Sequence, residues 1–132
     1  MIIAVDFDGV IAKYTGFEGK GVFKEPIPGA KEALGILRSE GHKILINTSR
    51  LEVDEIAEYL NEFKIPYDYI NYSPINHKRF LHPAKQQADV YIDDRNICFM
   101  GKWNEDFLNE VRRFTPWWKK RSRNLKLPVR NK

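Results

Sequence analysis

The first eleven residues, MIIAVDFDGVI, constrain the fold more than any other stretch of the chain. Ile2, Ile3, Ala4 and Val5 run without a polar break and then meet Asp6, Phe7, Asp8 and Gly9. An unbroken run of small and branched apolar residues suits a strand buried on both faces, as in a parallel sheet. Carboxylates at the C-terminal end of such a strand emerge where open α/β folds bind ligands. Residues i and i+2 of a strand share a side, so Asp6 and Asp8 are expected to reach one centre. A plainer reading competes with this one, because Asp-Gly is a common turn signal and carboxylates often end strands.

A second acidic pair favours the functional reading. Val90, Tyr91 and Ile92 form another short apolar run, and it ends in Asp93 and Asp94. Adjacent carboxylates repel each other, so stability alone does not explain the pair. A hard cation reconciles them: Mg2+ prefers oxygen ligands and keeps several waters. Between the acidic ends, Lys43 to Ile46 is a third apolar run, followed by Asn47, Thr48, Ser49 and Arg50. Hydroxyls and amides there are candidates for holding anionic oxygens. Lys85, upstream of the second acidic pair, is a candidate to neutralise the same anion.

Helical patterns alternate with these runs. Gly29 to Gly41 brings Ala30, Ala33, Leu34 and Leu37 to one face, and Glu52 to Phe63 does the same with Val53, Ile56, Ala57, Leu60 and Phe63. Tyr67 to Tyr72 reads as a short strand near a sheet edge. Trp103 to Phe114 is amphipathic through Trp103, Phe107, Leu108, Val111 and Phe114, and these aromatics are expected in a core. The alternation predicts an α/β fold, a doubly wound three-layer sandwich around a central, mostly parallel sheet.

Asp, Asp, Thr, Lys, Asp, Asp in this chain order resembles the haloacid dehalogenase superfamily of phosphohydrolases. The resemblance spans roughly residues 1 to 100 and rests most on Asp6-Phe7-Asp8-Gly9 and Asp93-Asp94, with Thr48 between. Val10 stands where many members carry Thr. Lys85 is preferred for the lysine motif because KQQADVYIDDR, residues 85 to 95, is similar to small deoxyribonucleotidase-like members; Lys78 is its rival. The resemblance implies Mg2+ held by Asp6, the backbone carbonyl of Asp8, and Asp93, with Asp94 acting through water or holding Lys85. It implies phosphomonoester hydrolysis through an aspartyl-phosphate on Asp6, with Asp8 as general acid and base. Thr48, Ser49, Arg50 and Lys85 are the expected substrate-binding set. Phosphoryl transfer to a second substrate fits the same residues. So does a nucleic-acid-binding or interaction module that keeps the acidic pocket as a metal site.

Room for a cap domain is missing: only a short flap, about Lys13 to Phe23, separates the first motif from the first helix. An open site must exclude water with substrate bulk, the flap, or a neighbouring subunit of a homo-oligomer. The length of 132 residues fits a single domain, expected over residues 1–118, with a basic tail at 119–132. All eighteen acidic residues precede Lys119, as do fifteen of the twenty-two Lys and Arg, so the body carries −3 and the tail +7. Such a tail suits a polyanion such as nucleic acid, or serves only as a solubilising end. A phosphorylated small molecule is the expected substrate, nucleotides included. The single Cys98 rules out a disulfide framework within the chain and is expected as a small buried hydrophobe. No apolar run is long enough to span a membrane, and a cytoplasmic location is expected.

Overall fold

The branched run at the start of the chain forms a strand, β1 (Ile2–Val5), with all four residues buried. The computed structural model describes residues 1–77 and 84–119. It divides into two compact units, Met1–Asp93 and Asp94–Lys132. In the first unit the order is β1, α1 (Ala30–Ser39), β2 (Lys43–Ile46), α2 (Val53–Glu62), β3 (Tyr69–Ile70) and β4 (Val90–Ile92). These four strands make one sheet in the spatial order β3-β2-β1-β4, and every pairing is parallel. This is the expected α/β fold with a central parallel sheet.

The register decides where the polar residues emerge. Val5 lies opposite Ile46 on one side and Ile92 on the other, and Ile46 lies opposite Ile70. All four strands therefore end level, and the next residues are Asp6, Asn47, Asn71 and Asp93. The ladder runs one step further: Asp6 N donates to Ile92 O at 2.9 Å, Asn47 N to Val5 O at 2.8 Å, and Asn71 N to Ile46 O at 2.8 Å. The chain steps outward from β1 to β3, then returns to the far side of β1 for β4. Strand order reverses between β1 and β4, which is where ligand crevices open in such sheets.

Alternation along β1 and β2 sends Ile3, Val5, Ile44 and Ile46 to one face. There they pack with Phe7, Ile11, Leu34 of α1, and Ile56, Tyr59 and Leu60 of α2. Ile2, Ala4 and Leu45 form a smaller cluster with Tyr69, Ala88 and Tyr91. Gly41, at a φ of 90°, reverses the chain after α1, and Pro66 follows α2 in the sequence.

In the second unit, Asn104 caps α3 (Glu105–Arg113) by accepting from Phe107 N at 3.0 Å. The aromatics around this helix differ from the expectation of a core. No residue of α3 is buried, and Trp103 is 77 % exposed. Phe99, Trp103 and Phe107 instead pack on one another, with ring centroids 5.1–5.2 Å apart. A segment this short has too little surface to enclose large rings. Cys98 is also exposed rather than buried.

Leu60 is fully buried and Ile36 is 58 % exposed, which makes a controlled pair. Leu60→Ala should lower the free energy of unfolding by about 2–5 kcal/mol, and Ile36→Ala by less than about 0.5 kcal/mol. Urea unfolding of the two variants checks this, and comparable losses would contradict the placement of α2 over the sheet.

Candidate functional site

Phe7 anchors the loop that leaves β1. It is fully buried, edge-on to Phe23 at 5.2 Å and to Tyr59 at 5.1 Å. Its carbonyl accepts from Ile11 N at 2.9 Å and Ala12 N at 3.0 Å, while Gly9 N donates to Ala12 O at 2.8 Å. Gly9 has a φ of 82°, a left-handed conformation that a residue with a Cβ adopts at a cost. This turn explains why Gly9 follows Asp8, and it holds two carboxylates on either side of a buried ring. Asp6 is steadied locally, its Oδ1 accepting from Phe7 N at 2.8 Å.

One carboxylate oxygen from each of Asp6, Asp93 and Asp94 lies within 4.8 Å of the others, and all three residues are half-buried. Opposite ligands of an octahedral magnesium ion stand about 4.2 Å apart, so this donor set fits such an ion with small adjustments. Asp8 departs from the expectation that it shares a centre with Asp6 through its side chain. β1 ends at Val5, and past it the Phe7–Ala12 turn replaces strand alternation. The family resemblance gives Asp8 a metal contact only through its backbone carbonyl, an expectation that does not depend on where its side chain lies.

The Asp8 carboxylate is held by Arg50. Arg50 Nε donates to Asp8 Oδ2 at 2.6 Å and Nη2 to Asp8 Oδ1 at 3.1 Å, a two-pronged pair. The same guanidinium donates to Gly19 O at 3.4 Å and Val22 O at 3.3 Å, and Glu52 lies 3.8 Å away. Its faces meet the rings of Phe23 at 4.7 Å and Phe17 at 5.4 Å. Burial alone would lower the Arg50 pKa, but the hydrogen bonds and charge of Asp8, followed by Glu52 and Tyr14, outweigh it and raise it. Arg50, expected to bind substrate, thus holds the second aspartate and ties down the Lys13–Phe23 flap. Glu52 adds to the tie by accepting from Gly21 N at 3.3 Å. Tyr59 closes the flap's other end, donating to Lys24 O at 2.7 Å. Burial, then the charges of Glu25, Asp8 and Glu62, push its phenol well above its ordinary pKa, so it stays a neutral donor.

Thr48 is half-buried where β2 ends, and its Oγ1 accepts from Arg50 N at 3.1 Å. Asn71, at a φ of 51°, accepts from Thr48 N at 2.9 Å, so it fixes the turn that aims Thr48 and Arg50. Ser49 is exposed beside them. Sequence reasoning missed Asn71 and Glu52; the available signal for Asn71 was a polar residue directly after an apolar strand. Lys85 is placed differently from the expectation. Its Nζ stands 5.1 Å over the Tyr91 ring, and among the described residues it has no carboxylate partner. The segment before β4 is pinned at the opposite end of the sheet, with Asp89 N donating to Ile2 O at 2.9 Å and Asp89 Oδ2 accepting from Ile2 N at 2.6 Å. Lys78 and Arg79 lie outside the described residues, as does the tail beyond Lys119. Asp94 takes its hydrogen bond from the Trp118 indole rather than from Lys85. Arg95 lies 5.4 Å over the Trp118 ring. Among the described residues, no helix is long and apolar enough to cross a membrane.

A solved structure, described as that of a conserved protein coded by a locus from Bacteroides thetaiotaomicron, is similar to this chain. The two are 31% identical, the match covers 85% of this chain and 88% of that one, and the TM-score is 0.61. At that identity over that share of both, this chain belongs to the same family as that conserved protein. No protein-family model matches the chain, and no curated protein does.

The Asp8–Arg50 pair should be worth measuring as a pair. Asp8→Asn, Arg50→Met and the double variant form a cycle whose coupling energy, from urea unfolding, should be about 2 kcal/mol. Additive losses would mean that the two side chains do not stabilise each other in solution.

Proposed function

We propose that this chain is a magnesium-dependent phosphomonoester hydrolase of the haloacid dehalogenase type, working through an aspartyl-phosphate. The observation that carries this reading is the level ending of β1 and β4. It sets Asp6 and Asp93 on the two strands that flank the reversal of strand order, with Asp94 within the same 4.8 Å group. Like charges oppose one another at this strand end, and a divalent cation would relieve that opposition.

A phosphomonoester dianion repels an anionic nucleophile, so positive charge and hydrogen-bond donors must meet it first. Asp6, Asp93 and Asp94 would hold a magnesium ion, which would supply positive charge against the phosphoryl oxygens. The Thr48 hydroxyl accepts from Arg50 N, which leaves its own proton to donate to one of those oxygens. An Asp6 carboxylate oxygen forms a bond to phosphorus as the bond to the leaving oxygen breaks, and Asp8 gives that oxygen a proton. Asp8 then takes a proton from the water that attacks phosphorus, which releases inorganic phosphate and restores Asp6. Arg50 bears on both steps. It donates to both Asp8 oxygens, and this charge-assisted pair weakens when a proton neutralises the carboxylate. The pair must loosen when Asp8 is protonated and re-form when it ionises, and the flap it holds is expected to respond to the same cycle.

Phosphate release from an aryl phosphate, measured with magnesium and with excess chelator, tests this directly. Activity should require magnesium, and Asp6→Asn should lower kcat/KM by more than about a thousandfold. Asp93→Ala should raise the magnesium concentration for half activity more than Asp94→Ala does, because Asp94 is engaged with Trp118. Undiminished turnover in chelator, or in Asp6→Asn, would refute the proposal.

A further inference from the structure

Beside Asp8 the surface opens into a cavity of about 410 Å³, with Tyr14, Phe17, Lys20, Arg50 and Leu51 among its walls. Its size is that of a small-molecule site. Two of its walls are costly to leave in water: Phe17 is 68 % exposed and Leu51 is 92 % exposed. Single exposed apolar residues need no explanation, but these two face one hollow that also contains a half-buried carboxylate. Arg50 stands over the Phe17 ring at 5.4 Å, and most of that ring remains open to solvent. The flap that carries Phe17 is held by Arg50 at Gly19 O and Val22 O and by Glu52 at Gly21 N. The wall is therefore anchored by the same ion group that holds Asp8.

We propose that this cavity receives the leaving group of the substrate, and that the leaving group carries a flat aromatic ring stacked on Phe17. The inference rests on the hydrolase reading above, which makes Asp8 the donor to the leaving oxygen. Whatever is bonded to that oxygen extends away from phosphorus on the Asp8 side, where the cavity lies. An aromatic ring suits it better than a saturated one. The open part of Phe17 and the Tyr14 ring offer offset or edge contacts, whose strength exceeds that of the buried area alone. Arg50 against Phe17 extends the same stack from below. Leu51 adds apolar cover without demanding a hydrogen-bonding group.

The test compares two stable phosphonates, 2-phenylethylphosphonate and 2-cyclohexylethylphosphonate. They share the anionic head and the linker, and differ in a flat aromatic ring against a puckered, more apolar saturated one. Calorimetric titration of the unaltered chain with magnesium should show the phenyl compound binding about fivefold tighter. Phe17→Leu keeps apolar bulk but removes the ring, and should bring the two affinities to about the same value. Phe17→Ala should weaken the phenyl compound further. Equal affinities in the unaltered chain, no binding of either compound, or a preference that survives Phe17→Leu would each overturn the aromatic site. The hydrolase reading fails on a different result, the absence of phosphate release from benzyl phosphate with magnesium. A ring preference together with release supports both, and release without a ring preference refutes only the cavity assignment.

Discussion

β1 is hydrogen-bonded to β2 on one side and to β4 on the other, and its four side chains are buried. A strand so enclosed has no freedom to slip, because a shift of one residue would turn Ile3 and Val5 out of the main cluster. Its exit point is therefore fixed, and so is that of β4, locked to it through Val5 opposite Ile92. The meeting of Asp6 with Asp93 follows from that register. No local preference of the two acids would bring them together, since their charges drive them apart. Hydrophobic pairing of the strands holds the carboxylates in place, and the proposed cation would relieve what that placement costs.

Asp8 answers the same difficulty in another way. It lies two residues beyond Asp6, yet its charge is met inside the protein by Arg50. Arg50 is itself buried against two rings and linked to the flap backbone, so one guanidinium joins the end of β2, the turn after β1, and the flap. Breaking such a buried group by removing one partner leaves the other charge stranded. The two aspartates of the first motif thus sit in different electrostatic settings. Asp6 lies among other acids and Asp8 faces a cation. Under the proposed reaction Asp8 would carry a proton only once its pair with Arg50 has opened.

Much of this was legible in the sequence, because strand and helix patterns depend on side chains close together in the chain. The runs Ile2–Val5, Lys43–Ile46 and Val90–Ile92 each became a strand, and the periodic segments became α1, α2 and α3. The gathering of Asp6, Asp93 and Asp94 followed from where those runs end. Side-chain partners were harder to read. The pairing of Arg50 with Asp8 spans 42 residues and depends on a turn whose direction the pattern does not encode. Lys85 illustrates the same limit: its place near the last strand was plain, but the pinning of Asp89 to Ile2 decides which end of the sheet that segment follows. Asn71 stood out only as a polar residue directly after an apolar strand, and its role as acceptor for Thr48 N depends on a contact 23 residues away in the chain. The rings around α3 were misjudged because amphipathic spacing shows which face is apolar and not whether anything covers it.

The central claim is that Asp6 becomes covalently bonded to phosphorus. Rapid acid quench of a reaction with labelled phosphomonoester, followed by borohydride reduction and peptide mass spectrometry, tests it most directly. An aspartyl-phosphate is reduced to homoserine, so the account predicts that conversion at Asp6 and at no other carboxylate. Steady phosphate release with no modified residue, or homoserine formed at Asp8, Asp93 or Asp94, would contradict it.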